Sequence, residues 1–201
     1  TVIPAPEFKN LFLEDAVGEL FWSHWMGAER FQALRGHFLA LGESGALATP
    51  LSARADRQGP VLKTHDPSGE RIDRVEFHPD YHQLERLAYG RGIIGLKFDP
   101  AFLRDHRDVR HLVGFGAGYY FAQSECGLYC PICMTDGVGR VLERHCPENA
   151  VAKETLDHLA SRDLEELWQG AMFLTEKQGG SDVGANEVRA SQEGGRWFLD
   201  G

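Results

Sequence analysis

Apolar positions return at helical intervals through most of this chain and change to alternation only near its end. Val17, Leu20 and Phe21, followed by Trp25, predict an amphipathic helix that opens at Asp15, whose carboxylate suits the cap. Residues 1–14, which include Pro4 and Pro6, predict an extended arm. Over 28–41, Phe31, Leu34, Phe38 and Leu41 share a helical face, and Gly42, Gly45 and Pro50 are expected to end that helix.

From 48 to 79 the apolar residues are sparse, and Asp66-Pro67-Ser68-Gly69-Glu70 reads as a turn between two short strands. Helical spacing resumes at Asp80, a cap position after Pro79, with Tyr81, Leu84, Leu87, Ala88 and Ile94 expected inward. A further helix is expected over 107–128, although Gly114, Gly116 and Gly118 are costly there unless neighbours approach closely. Thr135 or Asp136 is expected to cap the next helix, with Val138, Val141 and Leu142. One or two short helices follow over 151–167. After Trp168 the texture becomes strand-like: 171–175, 187–190 and 195–199 read as strands, with Glu193-Gly194-Gly195 as a turn. The prediction is a mainly α chain, with a helical domain over 1–168 and the incomplete start of a β domain over 169–201, too small to be stable alone.

Composition narrows the classes of partner. The net charge of -9 disfavours nucleic acid and anionic membrane, and the Arg104, His106, Arg107, Arg110 and His111 stretch is broken by Asp105 and Asp108. No apolar run reaches membrane-spanning length and the first residues do not read as a signal peptide, so a cytoplasmic location is expected. Cys130-Pro131-Ile132-Cys133 has the spacing of half a zinc site, yet Cys126 and Cys146 supply no second close pair. Buried free thiols are the expectation, and no metal site is assigned. The histidines form no constellation in sequence.

The densest chemistry lies in Met172-Phe173-Leu174-Thr175-Glu176-Lys177-Gln178-Gly179-Gly180-Ser181-Asp182. An apolar run meets hydroxyls and paired glycines there, a combination that suits a phosphate-bearing planar ligand: Thr175 for a ring carbonyl or nitrogen, the glycine amides and Ser181 for phosphate oxygens. It is neither GxGxxG nor the Walker sequence. A plain glycine turn, closed by Ser181 and Asp182, remains equally open on composition.

The stretch 175–182 resembles the flavin-contacting signature of the acyl-CoA dehydrogenases. Together with Val75-Glu76-Phe77-His78-Pro79-Asp80-Tyr81-His82, Cys130-Pro131-Ile132-Cys133-Met134-Thr135 and Gly170-Ala171-Met172, it is similar to their adaptive-response (alkylation-response) branch. The likeness spans essentially the whole chain. It implies an acyl-CoA dehydrogenase-like N-terminal helical domain, FAD as cofactor and an acyl-CoA substrate oxidised at a CH–CH bond. By position, Phe173 and Leu174 match residues against the flavin ring, and Thr175 matches the threonine at its pyrimidine side. Gly180 and Ser181 match the residues near the pyrophosphate, Ser181 also standing at the acyl-CoA channel. Met134 and Thr135 match a helical segment approaching the cofactor region, with a core role expected for Met134.

Two departures qualify the match. Lys177 stands where most of the family has proline, and the family's catalytic glutamate corresponds to a region after Gly201, so no catalytic residue is assigned here. Glu176 is expected to form an ion pair or lie at the surface. The resemblance also implies a homotetramer in the intact protein. It leaves two alternatives: a DNA-protective flavoprotein of the adaptive response, touching DNA through a C-terminal domain, and a catalytically inert interaction fragment.

Overall fold

The computed structural model describes residues 9–201. They divide into two compact units, the first ending at Gly170 and the second spanning residues 171–201. The first eight positions of the expected arm lie outside the described residues. Its far end is a helical turn, α1 (Leu11–Glu14), because the Asn10 side chain accepts hydrogen bonds from the amides of Phe12 and Leu13.

The N-cap of α2 (Gly18–Met26) is Val17, which makes no side-chain cap bond, rather than the expected Asp15; the Asp15 carboxylate still reaches the helix start, accepting the amides of Val17 and Gly18 at 3.2 and 3.0 Å. The buried face differs from the expected one: Gly18, Trp22 and Met26 point inward, whereas Val17, Leu20, Phe21 and Trp25 are exposed. Both stripes are apolar, and the indole decides between them. Trp22 packs on Phe38, with ring centroids 5.2 Å apart, and donates its Nε1–H to Tyr120 Oη at 2.9 Å.

The long α3 (Ala28–Ala55) is the axis of this unit. It runs through the three residues expected to stop it. A side chain on Gly42 would meet the Phe12 backbone, and one on Gly45 would lie 2.5 Å from the Tyr120 carbonyl oxygen. These glycines admit neighbours instead of ending the helix, and burial of its Phe31–Leu34–Phe38–Leu41 face outweighs the propensity cost. Strands β1 (Val61–His65) and β2 (Arg71–Glu76) flank the expected turn and pair antiparallel, with Leu62 opposite Val75. Asp66 shapes that turn by accepting the amides of Ser68 and Glu70.

In α4 (Pro79–Ala88) the cap is His78, whose Nδ1 accepts the Asp80 amide. Asp80 itself is buried and paired with Arg54 of α3, so the sequence assignment of the cap was two residues late. Ile94 is buried on the turns after α4 rather than within it. After a separate α5 (Pro100–His106), the single helix expected over 107–128 is divided between α6 (Arg110–Ala122) and the start of α7 (Cys126–His145), which opens where Glu125 accepts the Leu128 amide at 2.8 Å. The three glycines of α6 do carry close packing, since side chains there would strike Lys97, Phe38 and Tyr129. No new helix begins at Thr135 or Asp136; α7 passes through both. After α8 (Ala150–Leu159) the chain turns back, and Trp168 stacks on His158 with centroids 4.2 Å apart.

The second unit contains one hairpin, β3 (Arg189–Glu193) with β4 (Arg196–Asp200), joined through Gly194 and Gly195 at positive φ. Residues 171–175 form no strand. Their backbone finds no partner ladder, and a strand exists only by pairing.

Candidate functional site

In the first unit several polar contacts converge on α7. Leu128, Ile132, Thr135 and Gly139 face the core, which turns the opposite stripe outward. Cys126, Cys130 and Cys133 are therefore exposed, and Cys146 at the C-cap is half-buried, contrary to the expected buried thiols. Met134 is half-buried, a partial core residue. Thr135 is wholly buried: its hydroxyl donates to the Pro131 carbonyl at 2.8 Å and accepts the Gly170 amide at 3.0 Å. Gly170 is needed there, because a side chain would lie 2.9 Å from Thr135 Cα and 2.7 Å from Val138 Cγ2. The last residue of the first unit is thus clamped to α7.

Beside this clamp two ion pairs cross the helices. Lys97 is buried and paired with Asp136, and Arg110 of α6 grips Glu143 of α7 through both guanidinium nitrogens at 2.7 and 2.6 Å. Burial alone would raise the Glu143 carboxyl, but the bonds and charge of Arg110, with Arg140 and His111 behind them, hold it below the usual range. The basic stretch noted in the sequence is consequently dispersed, with Arg110 turned inward. His37 and His106 are neighbours across Phe102. Burial, then the charges of His106 and Arg162, lower His37 below the ordinary histidine value.

In the second unit the sequence-predicted residues stand on an open loop. Phe173 is 95% exposed, and Leu174, Thr175 and Ser181 are exposed as well. Gly180 is exposed too and approaches Thr175, since a Cβ there would lie 3.6 Å from Thr175 Cγ2, whereas Gly179 is half-buried. The loop closes on itself through reciprocal bonds, the Glu176 amide to the Gly179 carbonyl at 2.9 Å and the Gly179 amide to the Glu176 carbonyl at 3.2 Å.

The Glu176 side chain has a role that sequence reasoning missed. Among the described residues it forms no ion pair; its carboxylate accepts the amides of Glu187 and Val188 at 2.7 and 3.1 Å and the Gln178 side-chain amide at 2.5 Å. The Glu187 bond, followed by those from Val188 and Gln178, keeps its carboxyl below the ordinary glutamate range. Asn186 adds a second tie by donating to the Leu174 carbonyl at 2.7 Å. A carboxylate followed eleven and twelve residues later by the amides it binds leaves no side-chain pattern, so only the fold could disclose the tie. The result is a loop held from one side whose apolar ring and hydroxyls remain free on the other, a donor set suited to a flat, partly apolar ligand with polar edges.

Among the described residues no three histidine, cysteine or acidic side chains are grouped to hold a metal, and no helix is long and apolar enough to cross a membrane.

Residues 3–166 match the family model described as the adaptive response protein AidB N-terminal domain. Putative acyl-CoA dehydrogenase AidB of Escherichia coli (strain K12) is 31% identical over 204 positions, which cover 96% of this chain and 36% of that protein. Acyl-CoA dehydrogenase family member 11 of Caenorhabditis elegans is 30% identical over 138 residues, 66% of this chain and 21% of that protein. The solved structure of Caenorhabditis elegans ACDH-11 in complex with C11-CoA superposes on all of this chain with a TM-score of 0.82 at 23% identity, covering 34% of its own length, and supports the fold. The chain thus spans little more than a third of the longest-matched of these relatives. The match to the N-terminal domain model, over most of the first unit, shows that this chain belongs to the AidB N-terminal domain family of the acyl-CoA dehydrogenases.

Proposed function

We propose that this chain is the N-terminal part of an FAD-dependent acyl-CoA dehydrogenase-like oxidoreductase acting on CH–CH bonds, with a helical domain over 1–168 and the start of a middle β domain from 169. The observation that carries this reading is the loop that Glu176 ties from one side while Phe173, Leu174, Thr175 and Ser181 stay open on the other. Bound FAD would supply the two-electron redox chemistry. The residues of this chain bind and orient it. Phe173 and Leu174 would lie against the ring, the Thr175 hydroxyl would donate to its pyrimidine edge, and Ser181, with Gly180 giving backbone access, would serve the pyrophosphate and the mouth of the acyl-CoA channel. The proton-abstracting carboxylate comes from outside this chain, because Glu176 is committed to two backbone amides. An acyl-CoA substrate is supported by the C11-CoA in the ACDH-11 structure. The intact protein is proposed to be a cytoplasmic homotetramer.

The match to an adaptive-response domain favours a second reading, a flavoprotein protecting DNA against alkylation. With a net charge of -9 here, DNA contact would fall to another part of the protein.

Titration of FAD against the purified chain, followed by flavin fluorescence, tests the first reading. Weak saturable binding that Thr175→Ala and Gly180→Val both reduce, with no acyl-CoA dehydrogenation by the chain alone, is the expected result. Binding indifferent to both substitutions would remove the loop from the cofactor site.

A further inference from the structure

The three exposed cysteines of α7 play no part in the proposed flavin site, yet they share one face. At 3.6 residues per turn, Cys126, Cys130 and Cys133 fall within an arc of roughly 60°. Cys130 and Cys133, three residues apart, have neighbouring side chains at a Cβ separation of about 5–6 Å. Pro131 between them has no amide to give the Gly127 carbonyl, so the helix lacks one bond where the two sulfurs would have to converge. Cys133 also lines a cavity of about 300 Å³, together with the apolar side chains Ile93, Ile94 and Phe115 and the ring of Tyr129. The charges at its rim are spoken for, Lys97 by Asp136 and Arg140 by Glu143. Burial, with Cys133 beside it, pushes the Tyr129 phenol up to about 12, which keeps it neutral.

We propose that Cys130 and Cys133 form a two-thiol site for a neutral trivalent organoarsenical, whose organic group occupies the adjoining cavity. The donor number selects this ligand class. No third histidine, cysteine or acidic group joins the pair among the described residues, which leaves zinc short of its four ligands. An organoarsenical brings its own carbon substituent and needs only two sulfurs to complete three-coordination, and thiolate softness favours arsenic. The step balances without an oxidant. An arsonous acid RAs(OH)2 loses both As–O bonds and gains two As–S bonds; each thiol proton leaves with a hydroxide as water, and arsenic stays trivalent.

Phenylarsine oxide and the reduced chain provide the test, read by intact-mass analysis and by counting thiols that react with Ellman's reagent. One phenylarsine per chain, loss of two reactive thiols, and release by a dithiol at concentrations where a monothiol fails are expected. Cys130→Ser and Cys133→Ser should each weaken binding by roughly a hundredfold, the usual order of a lost intramolecular second contact, while Cys126→Ser and Cys146→Ser leave it unchanged. Circular dichroism checks that each exposed-site variant remains folded. Unchanged affinity in Cys130→Ser or Cys133→Ser, or an equal loss in Cys126→Ser, would overturn the assignment. Inorganic arsenite bound as tightly as phenylarsine would overturn the role of the cavity.

Discussion

Replacing Thr135 by valine removes one hydroxyl from the junction where the first unit ends, at nearly constant volume. The Pro131 carbonyl is an ordinary helical acceptor with a second lone pair, so losing the Thr135 hydroxyl at 2.8 Å costs it little. The Gly170 amide is different. Its partner is that same hydroxyl at 3.0 Å, and in the valine variant a methyl group would face it. A fully buried donor left without an acceptor costs about 1–3 kcal/mol, which is the upper bound for the half-buried Gly170. For a chain of this size each kcal/mol lowers the melting temperature by about 2–4 °C, so a loss of about 2 kcal/mol corresponds to about 4–8 °C. Thr135→Ser keeps the hydroxyl and forfeits only a methyl group, about 1 kcal/mol. Equilibrium urea unfolding of both variants gives the comparison, and hydrogen exchange at the Gly170 amide localises it. The valine variant should lose protection at Gly170 and the serine variant should retain it. Unchanged Gly170 protection in Thr135→Val, or a valine variant as stable as the unsubstituted chain, would refute the clamp.

Two glycines of α3 should respond oppositely to alanine. Gly36→Ala, exposed and with open space around its Cβ, should gain about 0.5–1 kcal/mol, whereas Gly45→Ala should lose roughly 1–3 kcal/mol to the nearby Tyr120 carbonyl, both read by urea unfolding. The Glu143 carboxyl has a folded value below its unfolded one, so the stability it contributes is present above the unfolded value near 4.3 and is lost as pH falls through the folded value; Glu143→Gln should flatten that acid limb. His37 is also depressed, so its neutral form supports the fold above about pH 6.5 and protonation withdraws that support on acidification; His37→Gln should reduce the slope of stability between about pH 7 and 5. An unchanged slope in either variant would show that the corresponding group is not coupled to folding.

The sequence made the helices legible where apolar spacing was strong and left their ends and faces obscure. Phe31, Leu34, Phe38 and Leu41 are all buried as their period predicts. The end of that helix was misread because glycine and proline score as breakers locally, while Gly42 and Gly45 are places where Phe12 and Tyr120 reach the helix from distant sequence. The α2 face failed for a related reason. Leu20, Phe21 and Trp25 form an apolar stripe as good as the real one, and the choice was made by a hydrogen bond from Trp22 to Tyr120, 98 residues away.

The loop 172–182 was conspicuous in composition because the residue types that the proposed ligand-facing surface would need are unusual together and visible one by one. What holds such a surface is less visible, since it is made largely of backbone. Glu176 looked like a surface charge in the sequence and is a surface residue in the fold, yet its two oxygens fix the amides of Glu187 and Val188 and so connect the loop to the approach of β3. Thr135 follows the same logic in the first unit: it resembled a helix cap in sequence, and its hydroxyl instead closes the chain against α7 at Gly170. In both places the side chain that acts is polar, ordinary in type and satisfied by main-chain groups far along the chain. A ligand would find Phe173, Thr175 and Ser181 already presented because Glu176 and Asn186 have met the backbone needs of their loop first. Pre-organisation of this kind reduces the ordering cost of binding, and it is carried by residues that touch no ligand.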